Sequence, residues 1–143
     1  MIKMANLFGL SEERDAFIFM FVQFSGLDLI QNRELTKKNN AFIFSLLDLG
    51  SSFPNYLQEG WKLILNSALK LEWLYPLYSK QGSAKRLKNK KEVIQNNINH
   101  IFDNISIEQI MRVYASTTML NEASLIKYLE CLCEIMKEKT DKD

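Results

Sequence analysis

Asn55-Tyr56-Leu57-Gln58-Glu59-Gly60-Trp61-Lys62-Leu63-Ile64-Leu65-Asn66-Ser67-Ala68-Leu69-Lys70-Leu71-Glu72-Trp73 decides the fold class. Leu57, Trp61, Ile64, Leu65, Ala68 and Leu71 recur at three- and four-residue intervals, while Gln58, Glu59, Lys62, Asn66 and Lys70 fall on the other side. That division is the mark of a helix buried along one stripe, with Pro54 placed to open it. Upstream, Gly50-Ser51-Ser52 reads as the end of a second helix spanning about 34–49, with Gly50 suited to a left-handed C-cap and Leu35, Phe42, Ile43, Leu46 and Leu49 facing inward. The connection to Pro54 is short, so the two helices are expected to pair antiparallel.

Further toward the N-terminus a helix is expected over about 11–24, with Ser11 as N-cap, Glu12 and Glu13 in the electropositive first turn, and Ser25-Gly26 as the stop. Its middle, Phe17-Ile18-Phe19-Met20-Phe21-Val22, is apolar all round, which implies burial on several sides and a missing neighbour. Downstream of Trp73 the periodicity lapses. Residues 75–91, with Ser79-Lys80-Gln81-Gly82-Ser83 and then a basic run, read as a flexible linker. A fourth helix over about 92–103 carries Ile94, Ile98, Ile101 and Phe102. Ser106-Ile107-Glu108-Gln109 fits a capping box for a fifth helix that turns Ile107, Ile110, Met111 and Tyr114 inward. Asn121 is placed to cap a sixth, with Leu125, Ile126, Leu129, Leu132, Cys133 and Met136 on its inner face and Lys127, Glu130, Glu134 and Lys137 on the outer. The expectation is one all-α domain over 1–143, about six helices in antiparallel pairs, as an armadillo/HEAT-like stack or an irregular bundle.

Composition agrees with that class. Hydrophobic residues are 47% and charged ones 24%, and only 5 Gly and 2 Pro interrupt the chain, which is globular usage with few breakers. The net charge of +1 hides an uneven distribution: Lys80, Lys85, Arg86, Lys88, Lys90 and Lys91 sit in one stretch, leaving the remainder acidic. Such a chain attracts an anionic surface locally and exerts no general pull on nucleic acid, for which interleaved aromatics and a wider basic face are missing. The start Met1-Ile2-Lys3-Met4 lacks a signal-peptide layout, and the longest purely apolar run, 16–22, is far short of the roughly 18 residues that indicate a bilayer span. Cys131 and Cys133, two apart on a helix, project about 200° from each other and cannot readily bridge, which favours a reducing compartment and reads Cys133 as a buried thiol.

Chemistry is sparse. His100 is the single histidine, so no His-based dyad or multi-His metal site can be built, and Cys131, Cys133 and His100 lack a fourth ligand for zinc. No phosphate-cradling glycine motif or nucleophile elbow occurs. The densest acidic group, Glu12, Glu13 and Asp15, is explained by a helix N-terminus. No catalytic residue, metal or cofactor is expected.

Two ordered sets of motifs add a family expectation. Thr36-Lys37-Lys38-Asn39, the apolar 42–49, Asn55-Tyr56-Leu57, Trp61 and the Leu-rich 63–74 form one; Tyr114, Ser116-Thr117-Thr118, Leu120-Asn121, Leu125-Ile126, Tyr128 and Leu132-Cys133 form the other. Together with Glu13-Arg14-Asp15-Ala16-Phe17 and Gln23-Phe24-Ser25, this pattern resembles the helical region downstream of the catalytic domain in the large, brefeldin A-inhibited Arf guanine nucleotide exchange factors, the BIG/Sec-seven family. Phe53-Pro54, Gly60 and Met119 depart from it. The resemblance implies a fragment of a longer chain without the exchange domain, a non-catalytic regulatory segment that responds to activated Arf, an anionic membrane surface or neighbouring domains, cytoplasmic and peripheral at Golgi membranes. The alternative is a stand-alone helical adaptor. Candidate contact residues are Lys37, Lys38 and Phe44 on the outer side of the second helix, and Lys85, Arg86, Lys88, Lys90 and Lys91 in the basic run.

Overall fold

Local chemistry sets most of the helix ends in the computed structural model, which describes residues 9–78 and 90–141. α1 spans Ser11–Ser25, with Leu10 as N-cap; Ser11 is therefore the first helical residue and not the cap expected of it, while Glu12 and Glu13 do occupy the first turn. Gly26 ends α1 at φ 72°, a left-handed conformation that favours glycine, and a Cβ there would stand 2.8 Å from Leu35 Cδ2 and push that side chain aside. α2, Lys37–Ser52, starts after a Thr36–Asn39 capping box in which the Thr36 amide donates to Asn39 Oδ1 at 2.7 Å. The other end of the same side chain, Asn39 Nδ2, donates to Phe24 O at 2.8 Å and ties the start of α2 to the end of α1.

Gly50 does not terminate α2. It lies inside the helix, buried, and Phe53 is the C-cap. A Cβ on Gly50 would meet Val113 Cγ1 at 3.0 Å and Ile64 Cγ2 at 3.1 Å, so the missing side chain is what lets two further helices close on α2. Pro54 does not open α3 as expected: it starts the first of two 3-10 turns, Pro54–Tyr56 and Gln58–Gly60, and α3 runs only from Trp61 to Leu74. The stripe expected to be buried is buried: Leu57, Trp61, Ile64, Leu65, Ala68 and Leu71 are each 0% exposed. Each fully buried large aliphatic residue of this stripe contributes about 1.5–3 kcal/mol. The Trp61 indole is satisfied, since Nε1 donates to Pro54 O at 3.0 Å.

α4 spans Lys90–Asn104, α5 Ile107–Ala115 and α6 Glu122–Asp141. Among the described residues there are six α-helices and no strand. α3 is central and touches α1, α2, α5 and α6, while α1 lies against α2 and α2 against α5. Contacts that radiate from one helix fit the irregular bundle of the two all-α arrangements expected, because solenoid layers touch only their neighbours. α4 is fastened by Asn97, 1% exposed, whose Oδ1 accepts from the Leu35 amide at 2.9 Å and whose Nδ2 donates to Ile30 O and Arg33 O, both at 2.7 Å. One side chain thereby holds the whole α1–α2 connection against α4.

Three further expectations are corrected. The linker expected over 75–91 is structured at both described ends: Tyr75–Leu77 is a 3-10 turn whose Tyr75 ring meets Phe102 edge-on at 5.2 Å, and Lys90 and Lys91 open α4. Gln95 Nε2 donates to Leu77 O at 2.9 Å and Tyr78 Oη to Asp103 Oδ1 at 2.6 Å, which pins the turn to α4. In α5 the Ser106–Gln109 capping box forms, but the helix is rotated so that Val113 is buried with Ile110 and Met111 is 42% exposed. The largest difference is α6. Asn121 caps it, accepting from the Ser124 amide at 2.8 Å, yet the buried residues are Ser124, Tyr128, Cys131 and Ile135. Leu125, Ile126, Leu129 and Met136, expected inside, are 38%, 52%, 49% and 55% exposed, and the buried cysteine is Cys131 while Cys133 is exposed.

Candidate interaction surface

Each helix of a bundle has one face to spare, and the chemistry of this molecule is decided by what stands on those faces. Lys37 and Lys38 occupy the exposed first turn of α2, and Phe44, 48% exposed, follows about two turns later on the same side as Lys37. Beside Phe44 is a depression of about 40 Å³ bordered by Asp48, Gln109 and Arg112, room for little more than a water molecule. Lys85, Arg86 and Lys88 lie outside the described residues. Lys90 and Lys91 belong to the backbone of α4, so the basic run does not form one continuous loop as expected.

The more extensive surface is one the periodicity did not single out. Trp73, 74% exposed, projects from the end of α3 away from its buried stripe, and the Lys139 ammonium of α6 sits 5.7 Å from its ring centroid. A groove lies on either side of it. One, of about 440 Å³, runs toward α1 over Leu63, Val22 and Phe19; the other, of about 520 Å³, runs over Leu69 and Pro76 to Met136. Phe19 and Met136, at the far ends of the two grooves, are 49% and 55% exposed, so the apolar area is open. Its charges are mostly engaged: Lys70 pairs with Asp28 at 2.5 Å, and the Tyr114 hydroxyl donates to Glu72 at 3.0 Å. Burial pushes the Tyr114 phenol well above its ordinary range, and the Glu72 carboxylate adds to the effect. The signal in the sequence was an aromatic off the α3 stripe, which amphipathic patterning assigns to solvent without explaining it.

Ion pairs elsewhere orient helices and do not converge on a cleft. Lys62 of α3 bonds Glu138 at 2.7 Å and Glu134 at 3.4 Å on α6, and its ammonium is held above its usual range by those carboxylates, Glu138 first. Lys127 of α6 reaches Glu59 at 3.3 Å and is raised likewise, Glu59 first. Asp15 is bound by the buried Arg14 at 2.9 Å. Asn40 Nδ2 donates to the His100 carbonyl at 3.1 Å, and the buried Asn40 Oδ1 and His100 Nε2 have no hydrogen-bond partner. Among the described residues no group of three or more His, Cys, Asp or Glu could hold a metal ion, and no helix is long and apolar enough to cross a membrane. What the arrangement offers is contact: a flat-sided aromatic between two apolar grooves, the composition in which protein interfaces concentrate their binding energy. No protein-family model, curated protein or solved structure matches the chain.

Proposed function

We propose that this chain is a non-catalytic regulatory segment of a Golgi-type Arf exchange factor that binds the activated GTPase and thereby tunes recruitment and exchange. The observation that carries the reading is the open apolar surface around Trp73, laid on the all-α framework that the resembling motifs require. A protein whose exposed features are an aromatic ridge and two grooves is built for contact with another macromolecule, and an activated GTPase offers a partner whose apolar switch region is presented in one nucleotide state only. The membrane remains a secondary contact in this reading, through the basic run Lys80 to Lys91, where each surface-near cation contributes about 1 kcal/mol toward anionic lipid. Neighbouring domains of a longer parent chain would use the same apolar faces.

The deciding experiment is calorimetric titration of the chain with Arf loaded with a non-hydrolysable GTP analogue or with GDP. Binding is expected in the GTP state and weaker by about tenfold or more in the GDP state, with Trp73→Ala reducing the former by about 2 kcal/mol as for an interface hot spot. Nucleotide release from Arf should not accelerate in the presence of the chain. Equal or absent binding in both states would refute the Arf reading and leave the stand-alone helical adaptor as the alternative.

A further inference from the structure

Ile135 is the last buried residue of α6, yet the helix continues to Asp141, and residues 136–140 are all exposed. Two side chains fasten this overhang to α3. Glu138 accepts from the Lys62 ammonium at 2.7 Å, and the Lys139 ammonium stands over the Trp73 ring, 5.7 Å from its centroid. Lys139 lines both the groove that runs toward α1 and the one that ends at Met136, so its side chain and the indole together form the partition between them. With Lys139 withdrawn, the ring face it occupies is open and the grooves communicate across it. An exposed ion pair or cation–π contact shifts an equilibrium only about two- to fivefold, and the last carbonyls of a helix have no partner within it, so such an end opens at little cost.

We propose that the end of α6, residues 136–141, is an autoinhibitory strap: it lies on Trp73 through Lys139 in the free chain and lifts when a partner takes the ring face. The inference rests on the reading of the Trp73 surface as the GTPase contact and adds the regulation of that contact. A partner binds only the fraction of molecules in which the strap is open, so its apparent affinity is lowered by that fraction. Loosening the strap therefore strengthens binding without adding any contact. Lys137 separates this role from a general one, because it carries the same charge on the same stretch of helix, is exposed, and lines neither groove.

Amide hydrogen exchange and the indole N–H resonances of the full chain test the strap with no partner present. Trp61, buried and bonded to Pro54 O, is the internal control for Trp73. Lys139→Gln is expected to move the Trp73 resonance and not that of Trp61, and to speed exchange of the amides of 137–141 about two- to fivefold with 125–135 unchanged. Lys137→Gln, which takes an equal charge from the helix end, should do neither. Calorimetric titration with Arf carrying a non-hydrolysable GTP analogue should then show Lys139→Gln binding about two- to fivefold more tightly than wild type. Unchanged exchange and indole signals, an equal response to Lys137→Gln, or weaker Arf binding by Lys139→Gln would overturn the strap. If Arf binds neither protein, the Arf reading fails, and the exchange and indole results alone decide the strap.

Discussion

Replacing Asn97 by leucine tests whether one polar side chain holds α4 in the bundle. Asn97 makes three hydrogen bonds to backbone groups of the α1–α2 connection, two of them between buried partners, at 2.7–2.9 Å. Leucine has nearly the same shape and would leave the Leu35 amide and the Ile30 and Arg33 carbonyls facing hydrocarbon. A buried group stripped of its partner costs about 1–3 kcal/mol, so two to three such groups amount to about 4 kcal/mol, of which the added apolar surface returns about 1 kcal/mol. The net loss of about 3 kcal/mol is a large fraction of the roughly 5–15 kcal/mol typical of a domain, and lowers the melting temperature by about 10 °C. Urea titration followed by far-ultraviolet circular dichroism measures it. Asn97→Asp adds a signed control, because a carboxylate would stand against two carbonyl oxygens and its folded pKa would rise above the unfolded value of about 3.9. Its deficit relative to wild type should be smallest below that pH and grow as pH rises through it. An Asn97→Leu variant within about 1 kcal/mol of wild type would refute the argument, since at least one orphaned buried group cannot cost less.

Three further outcomes follow from the packing. Gly50→Ala forces a Cβ to 3.0 Å from Val113 Cγ1 and should destabilise by about 1–2 kcal/mol by urea titration, although the same change in an exposed helix stabilises by about 1 kcal/mol. The Tyr114 phenol, raised by burial and by Glu72, contributes stability that is complete below its unfolded pKa of about 10 and is lost as pH rises above it, so thermal melts should show a decline over that range that Tyr114→Phe lessens. Of the two thiols, Cys133 should react with a disulfide reagent at the rate of a free cysteine, while Cys131, buried and with its thiol pushed up by burial, should react only as the protein unfolds.

Where one stripe of a helix is apolar and the other side polar, the sequence was enough. All six residues of the stripe read from 57 to 71 are buried, although Leu57 lies between two 3-10 turns and the helix itself starts only at Trp61, and the Ser106–Gln109 and Asn121 caps form as their local patterns demand. Features whose cause lies in another part of the chain were not legible. Gly50 follows Leu49 as a helix terminator would, and only Ile64 and Val113 explain why it is instead interior. Asn97 stands in the polar run Gln95-Asn96-Asn97, where nothing local distinguishes the residue that will reach the α1–α2 connection from its neighbours. Lys37, Lys38 and Phe44 were correctly read as exposed, but exposure alone did not rank them against Trp73, whose grooves arise from α1, α3 and α6 together.

α6 shows why a hydrophobic arc gives an axis without giving an orientation. Its apolar and small residues cover well over a third of the circumference, more than one neighbouring helix can bury, so periodicity admits several rotations of nearly equal apolar burial. Polar contacts choose among them. Ser124 Oγ donates to Asn55 O at 3.3 Å, Lys127 pairs with Glu59, and Lys62 reaches both Glu134 and Glu138, while Tyr128 packs edge-on against Trp61 at 4.9 Å. Rotating α6 to bury Leu125 and Leu129 would break all of these at once and swing Tyr128 out of the core. The exposed ion pairs are individually weak, but they act with the Trp61–Tyr128 contact in one register, and the alternative gains only an exchange of one apolar row for another. The row left outside is accordingly a consequence of how α3 and its preceding turns are charged. An arc wider than one neighbour can bury, turned by these contacts, leaves Leu125, Ile126, Leu129 and Met136 exposed.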